Sequence, residues 1–152
     1  MTSRNKLDKI FGPVGSSTGL ILFLAGFMIC YFSLTGLIFV IIGAFIGFTT
    51  TSTFIDFDRK RLRFSNNLFG IFPIGQWINI QPDMKIGIKK SNKVWRAYSQ
   101  SNRSLDIANK DYRLILYDSK GGEIMPIQKS VTIDSAKSYL DDYCKQLGIG
   151  VI

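Results

Sequence analysis

The chain has 152 residues, of which 46% are hydrophobic, and it carries a formal net charge of +8 with no histidine. The lack of histidine removes the commonest general base and metal ligand, and no zinc-protease, CxxC, nucleophile-elbow or phosphate-loop motif occurs. The composition therefore predicts a protein that is not an enzyme, with no catalytic residues, no metal and no cofactor.

Residues 1–10 are polar and lack periodicity, which predicts a short cytoplasmic tail. The next 43 residues, 11–53, contain no charged residue and consist mainly of Leu, Ile, Phe, Val and Gly. About 20 apolar residues cross the roughly 30 Å of a bilayer's hydrocarbon, so this stretch is long enough for two crossings. Helix-weakening polar residues gather only at 31–36, so we expect a transmembrane hairpin with helices at about 17–32 and 35–51.

Basic residues flank this hairpin on both sides and indicate its orientation. They are Arg4, Lys6 and Lys9 before it, and Arg59, Lys60, Arg61 and Arg63 after it. Because excess Lys and Arg stay on the cytoplasmic side, the prediction is a multi-pass membrane protein with both termini cytoplasmic.

Two other interpretations of the apolar stretch fit less well. A secretory signal peptide has a shorter apolar core and a small-residue cleavage site, and no such site precedes Thr35. A buried helix pair of a soluble protein shows a polar face, which an uncharged run of this length lacks.

Glycines recur at helical spacing through the apolar stretch. Small residues let helix backbones approach closely, so these positions are expected to pack the two helices together or to pack against another subunit. The set consists of Gly15, Gly19, Gly26, Gly36, Gly43 and Gly47. The spans contain no ionisable group and no polar stripe, which argues against a transporter, an ion-driven stator or a channel.

From residue 54 the hydrophobic period changes to two, which is typical of β-strands. Short alternating runs separated by turn signals, such as those at 82–83 and 118–122, predict six or seven strands.

The chain then closes with an amphipathic helix. Its apolar residues run from Ala136 to Leu147 at i, i+3, i+4, i+7, i+8 and i+11, with Thr132 placed to cap the N-terminus and Gly148 to end the helix. Residues 54–152 are therefore expected to form one cytoplasmic α+β domain, in which this helix caps a strongly bent antiparallel sheet.

Basic residues are concentrated in two segments of this domain, and the segment 84–105 contains no acidic residue. Basic residues beside a membrane gain about 1 kcal/mol each near anionic lipid, and an interfacial Trp adds anchoring. The candidate lipid-facing or partner-facing patch consists of Arg59, Lys60, Arg61, Arg63, Lys85, Lys89, Lys90, Lys93, Trp95 and Arg96. Two simpler explanations stay open, since the first segment also determines topology and the second also suits the solvated side of a strand pair.

The order of these features resembles the bacterial pleckstrin-homology-like (PH-like) domains. The resemblance is carried by IDFDRKRLRF at 55–64, LFG at 68–70, the strand around 77–80, YRLIL at 112–116, the Gly121-Gly122 turn and the closing helix. Many members of that family follow two membrane helices. The resemblance implies a bent sheet closed by a helix, and a role in interaction and assembly.

Two functions follow as expectations. The first is a non-enzymatic, membrane-anchored interaction or assembly subunit, whose partners are other membrane protein subunits or further copies of the chain. The second is a peripheral sensor of anionic lipid headgroups on the inner leaflet, acting through the basic hairpin. Nucleic-acid binding is not expected, because the basic residues accompany no recognition motif.

Overall fold

The computed structural model describes residues 2–98 and 104–152, with side chains at 2–94, 107 and 110–152. Its elements are β1 (Thr2–Lys9), α1 (Gly12–Cys30), α2 (Gly36–Phe48), β2 (Thr50–Asp56), β3 (Arg61–Leu68), β4 (Phe72–Ile74), β5 (Trp77–Asn79), β6 (Lys85–Tyr98), β7 (Ser104–Tyr117), β8 (Glu123–Ser130), α3 (Ile133–Leu147) and β9 (Gly150–Val151). The predicted α+β class is confirmed. The loop predicted around 99–104 lies largely outside the described residues.

The strands form two sheets, whereas the sequence predicted one bent sheet. The first sheet has the order β1-β2-β3-β4, and β5 also pairs with β3. The second has the order β8-β7-β6-β9, in which β6, β7 and β8 are antiparallel and β9 runs parallel to β6. A turn separates β5 from β6, and in it the Met84 N–H donates to the Gln81 carbonyl. Strand β5 pairs with β3 in the first sheet, whereas β6 pairs with β7 in the second.

The described chain divides into two compact units. The first, here called the sheet unit, contains Met1–Leu7, Ser52–Ser65 and Gly75–Ile152. The second, here called the helix unit, contains Asp8–Thr51 and Asn66–Ile74. The sheet unit thus differs from the predicted domain at 54–152 in two places: strand pairing adds the N-terminus, and residues 66–74 belong with the helices.

The predicted tail at residues 1–10 is instead mainly strand β1, and here the sequence prediction was wrong. Along β1, exposed residues alternate with residues that face inward. The inward-facing residues include the half-buried Ser3 and Asn5 and the buried Leu7. The Asn5 side-chain amide donates to the Ile127 carbonyl at 3.2 Å and to the Tyr143 hydroxyl at 3.0 Å. Because polar side chains occupy most of the inward positions, the apolar alternation that marks a strand is missing.

The core of the sheet unit lies between its strands and α3. The large apolar side chains that are at most 1% exposed come from both sheets and the helix: Ile55, Leu62, Ile86, Leu114, Leu116, Ile127 and Leu147. The ends of α3 are as predicted. The Thr132 hydroxyl accepts from the Ser135 N–H at 3.3 Å, and Gly148 takes the left-handed conformation with φ of 71°.

In the helix unit, α1 and α2 pack against each other in antiparallel directions. Gly19 faces the backbone of Gly47, and Gly43 faces that of Phe23. Nearer the connecting turn, Gly26 faces Val40 and Gly36 faces Cys30. Of the six glycines singled out in the sequence, Gly19, Gly26, Gly36, Gly43 and Gly47 thus lie at the contact between the helices, whereas Gly15 faces Phe11.

The helix bounds differ from the predicted ones. Helix α1 begins five residues earlier, at Gly12, because Pro13 is compatible with a first helical turn. Helix α2 ends at Phe48, since Thr49 turns extended. Among the described residues, α1 is the one helix long and apolar enough to cross a membrane, judged by length and composition. The 13 residues of α2 span about 20 Å, less than the predicted second crossing requires.

Candidate functional site

The outward face of the first sheet gathers arginine and aromatic side chains. On β3, Leu62 and Phe64 belong to or pack against the core, so Arg61 and Arg63 project from the opposite face. The same alternation turns Trp77 outward on β5, beside the core-facing Ile78. On β2, Phe54 is half-buried beside the fully buried Ile55.

These side chains stack in an alternating order. The Arg63 guanidinium carbon lies 4.8 Å from the Phe54 ring centroid and 5.0 Å from that of Trp77. On one side Arg4 lies 5.5 Å from the Phe54 centroid, and on the other Arg61 lies 4.5 Å from the Trp77 centroid. We call this series the arginine–aromatic ladder: Arg4, Phe54, Arg63, Trp77 and Arg61. Each cation–π contact contributes about 0.5–1 kcal/mol at exposed sites, so the ladder holds its side chains in place.

Arg63 occupies the middle of the ladder, with an aromatic ring on each side. Its Nε is buried and has no hydrogen-bond partner among the described residues. A guanidinium that stacks through its faces still carries its N–H donors in its own plane, in a geometry that matches a carboxylate or a phosphate. Arg63 therefore places a half-buried positive charge, able to attract an anion, on the outer face of the sheet.

Arg61 at one end of the ladder is already paired. Its Nε lies 3.0 Å from Asp56 Oδ2, and the Arg59 N–H donates to Asp56 Oδ1 at 3.2 Å. Desolvation raises the pKa of Asp56, but these two hydrogen bonds and the charges of Arg61 and Arg59 outweigh it, so the pKa lies below its ordinary value. Asp56 is therefore ionised at neutral pH and positions Arg61, which leaves Arg4 and Arg63 as the positive charges of the ladder that Asp56 does not compensate.

Lys60 has a different position from the ladder residues. Its Nζ lies 3.4 Å from the position that a Cβ on Gly148 would occupy. Gly148 lies at the C-terminal end of α3. Helix C-termini carry partial negative charge, so an ammonium there stabilises α3.

The other basic residues lie mostly on the second sheet, at a cleft of about 480 Å³. Its lining includes Lys89, Lys90, Lys93, Arg113, Glu123 and Pro126. Lys89 forms an ion pair with Glu123, whose hydrogen bond and charge raise the pKa of Lys89. Arg113 pairs with the buried Asp111 at 3.0 Å. Acidic groups thus offset part of the positive charge of the cleft.

The single basic patch predicted from the sequence is therefore distributed over several places. Arg61 and Arg63 belong to the ladder, Arg59 lies exposed in the β2–β3 turn, and Lys85 begins β6 opposite Gly150 of β9. The side chains of Trp95 and Arg96 lie outside the described residues.

Sequence reasoning missed three members of the ladder, Arg4, Phe54 and Trp77. The strands of Phe54 and Trp77 were predicted and that of Arg4 was not. Which side chains meet across β1, β2, β3 and β5 depends on pairing between segments far apart in sequence.

Across residues 2–98 and 104–152, no group of three or more His, Cys, Asp or Glu side chains is placed to hold a metal ion. Comparison of the chain with protein-family models, with curated proteins and with solved structures finds no match.

Proposed function

We propose that the chain is a non-enzymatic, membrane-anchored interaction subunit, whose arginine–aromatic ladder docks a partner protein. In this proposal the sheet unit is a PH-like module, α1 crosses the bacterial inner membrane, the shorter α2 leads the chain back, and both termini are cytoplasmic. The partner is another membrane protein subunit or a further copy of the chain. The ladder is the single observation that carries the proposal.

The composition of the ladder favours binding to protein. Trp and Arg are enriched among the residues that contribute most to protein interfaces, where they combine large contact area with directed hydrogen bonds. Stacking restrains the Arg63 side chain before any partner arrives, which lowers the entropy lost on binding. Because the charges of Arg4 and Arg63 are not offset by Asp56, the ladder favours a partner surface that carries Asp or Glu carboxylates.

Apolar exposure supports the membrane anchor. On the helix pair the side chains of Ile21, Met28 and Ile38 are 68%, 76% and 57% exposed, among many other large apolar residues. An apolar surface of this extent is costly in water, and a bilayer covers it. Because α1 and α2 are antiparallel, the residues that lead into and out of the pair lie at the same end, consistent with basic flanks in one compartment.

A photocrosslinking experiment tests the ladder. Lys6 is exposed on β1 two residues from Arg4, and Lys6→p-benzoylphenylalanine places a crosslinker on that face. Irradiation of native membranes is expected to give an adduct of discrete mass, identified by mass spectrometry. Adding Arg63→Ala is expected to reduce the adduct several-fold, because the central guanidinium is lost.

Two controls accompany this experiment. Lys90→Ala removes the same charge outside the ladder and is expected to leave the adduct unchanged. The same crosslinker at position 137, where Lys137 is exposed on α3, is expected to give adducts of different mass from those at position 6. Equal adducts from positions 6 and 137, or an adduct insensitive to Arg63→Ala, would contradict the proposal.

The basic cleft of the second sheet supports a second candidate function, the sensing of anionic lipid headgroups. Lys90 and Lys93 lie on its lining, where phosphate groups of the inner leaflet would find cationic partners. In a Cys30→Ala, Cys144→Ser background, an environment-sensitive fluorophore on Ser91→Cys, which also lines the cleft, would then show a blue shift in nanodiscs of anionic lipid. High salt is expected to reverse the shift, because screening weakens the attraction. Identical spectra in anionic and zwitterionic nanodiscs at low salt would dismiss this function.

A further inference from the structure

The tip of the β3–β4 hairpin is apolar and belongs to the helix unit. Residues 66–74 read NNLFGIFPI and contain no charge. Leu68 pairs with Phe72 and Asn66 with Ile74, so the hairpin is tight. Its turn uses positive φ at two successive positions, Phe69 and Gly70, which fixes the direction of the tip.

The tip is held against the last turn of α2. The Phe69 and Phe45 rings meet edge to face with centroids 5.7 Å apart, and the Phe69 N–H donates to Thr49 Oγ1 at 3.4 Å. A Cβ on Gly70 would lie only 3.1 Å from the Phe48 carbonyl oxygen, so the two backbones approach closely there. These contacts place the tip at the level of the end of α2.

The side chains beyond these contacts are exposed. Ile71, Phe72 and Ile74 are 73%, 61% and 58% exposed. At the end of α2, where Gly70 of the tip approaches it, Phe48 is 41% exposed. Exposing three large apolar side chains to water is unfavourable, and contact with lipid would remove this cost. The apolar surface of α2 thus continues onto the hairpin.

We propose that the β3–β4 tip inserts into the bilayer beside α2, as a third membrane-embedded element, with Ile71, Phe72 and Ile74 contacting lipid. The inference rests on the proposed membrane anchoring and adds a lipid-binding surface to it. Helix α2 reaches only about 20 Å, and the tip adds apolar side chains at the end where the helix stops.

The depth of insertion is limited by the backbone. Strand β4 is at the edge of its sheet, and unpaired backbone groups are not tolerated in the hydrocarbon centre. Pro73, in the middle of β4, has no N–H to leave unpaired. The tip therefore belongs in the interfacial layer, near the carbonyl end of the acyl chains.

Site-directed fluorescence on the full chain tests this inference. In a Cys30→Ala, Cys144→Ser background, a fluorophore is attached to Phe72→Cys, and the protein is placed in nanodiscs that contain lipids with a nitroxide near the carbonyl end of the chain. Strong quenching and a blue-shifted emission are expected at position 72. The same label on Ile38→Cys shows whether α2 contacts lipid. The label on Lys120→Cys, in an exposed turn, gives the emission expected of a position in water.

The three positions separate the possible outcomes. If position 38 reports lipid while position 72 matches position 120, the tip stays in water and the inference is overturned, although the membrane anchor stands. If position 38 also reports water, the anchor fails and this inference fails with it. Ile71→Cys gives an independent reading should the label at 72 disturb the turn, and it is expected to behave as position 72 does.

Discussion

Leu116→Ala is expected to lower the free energy of unfolding of the sheet unit by about 2–5 kcal/mol, the range for a large apolar core side chain truncated to alanine. Leu116 has no exposed surface and lies on β7, between Ile86 of β6 and Met125 of β8. Because both flanking strands are fixed by backbone pairing, the cavity cannot close by a small movement. Denaturant unfolding of the full chain in detergent, followed by tryptophan fluorescence, measures the loss.

A matched surface variant shows whether this loss is specific to the core. Val131 is 81% exposed, so Val131→Ala removes apolar carbon from water and is expected to change the free energy of unfolding by no more than about 0.5 kcal/mol. If the two variants unfold at the same denaturant concentration, β7 is not at the centre of the core.

This part of the core is also where the sequence was most informative. The apolar stripe on α3 indicates burial directly, because the face on which each residue lies follows from its own position in the helix. The continuous apolar run Leu114–Leu116 likewise indicates a buried strand. The capping of α3 by Thr132 and Gly148 also depends only on residues close in sequence, so it could be predicted. Local periodicity therefore predicted strands and the closing helix, but not the division of the strands into two sheets.

Strand β1 and the ladder could not be predicted in the same way. Asn5 is inward-facing and polar, and it is satisfied by Ile127 and Tyr143, which lie more than 120 residues away. The ladder likewise depends on β1, β2, β3 and β5 lying in one sheet, although two helices separate β1 from β2. Arg4, Arg63 and Trp77 lie on the same face only because their strands pair in one sheet, and the sequence does not reveal that pairing.

The helix pair illustrates a different limit. The uncharged run and the spacing of its glycines indicated two packed helices, but the length of each depended on chemistry at the ends. The Thr49 hydroxyl donates to the Phe45 carbonyl and its backbone turns extended, which ends α2 at Phe48. The hairpin tip at 66–74 packs there as well, so a segment predicted to belong to the domain lies with the helices instead.

Gly43→Ala is expected to destabilise the packing of α1 against α2 by about 2 kcal/mol. A Cβ at this position would lie 2.6 Å from Phe23 Cα and 2.8 Å from the Gly19 carbonyl oxygen. Both are backbone atoms, so no rotamer change relieves the clash and the helices must separate. Overpacking costs up to about 3 kcal/mol, whereas alanine gains at most about 1 kcal/mol over glycine as a helix former, so the clash decides the sign.

Gly47→Ala is the matched control, because the same methyl group is added on the same helix. There the nearest atom, the Leu20 nitrogen, is 3.1 Å away, so a small shift relieves the contact and helix propensity offsets most of its cost. In a Cys144→Ser background, the temperature at which Cys30 becomes reactive toward a thiol-specific fluorophore measures helix separation in detergent. Gly43→Ala is expected to lower that temperature by several degrees and Gly47→Ala to leave it nearly unchanged. The reverse order would show that the helices do not meet at Gly43 and Phe23.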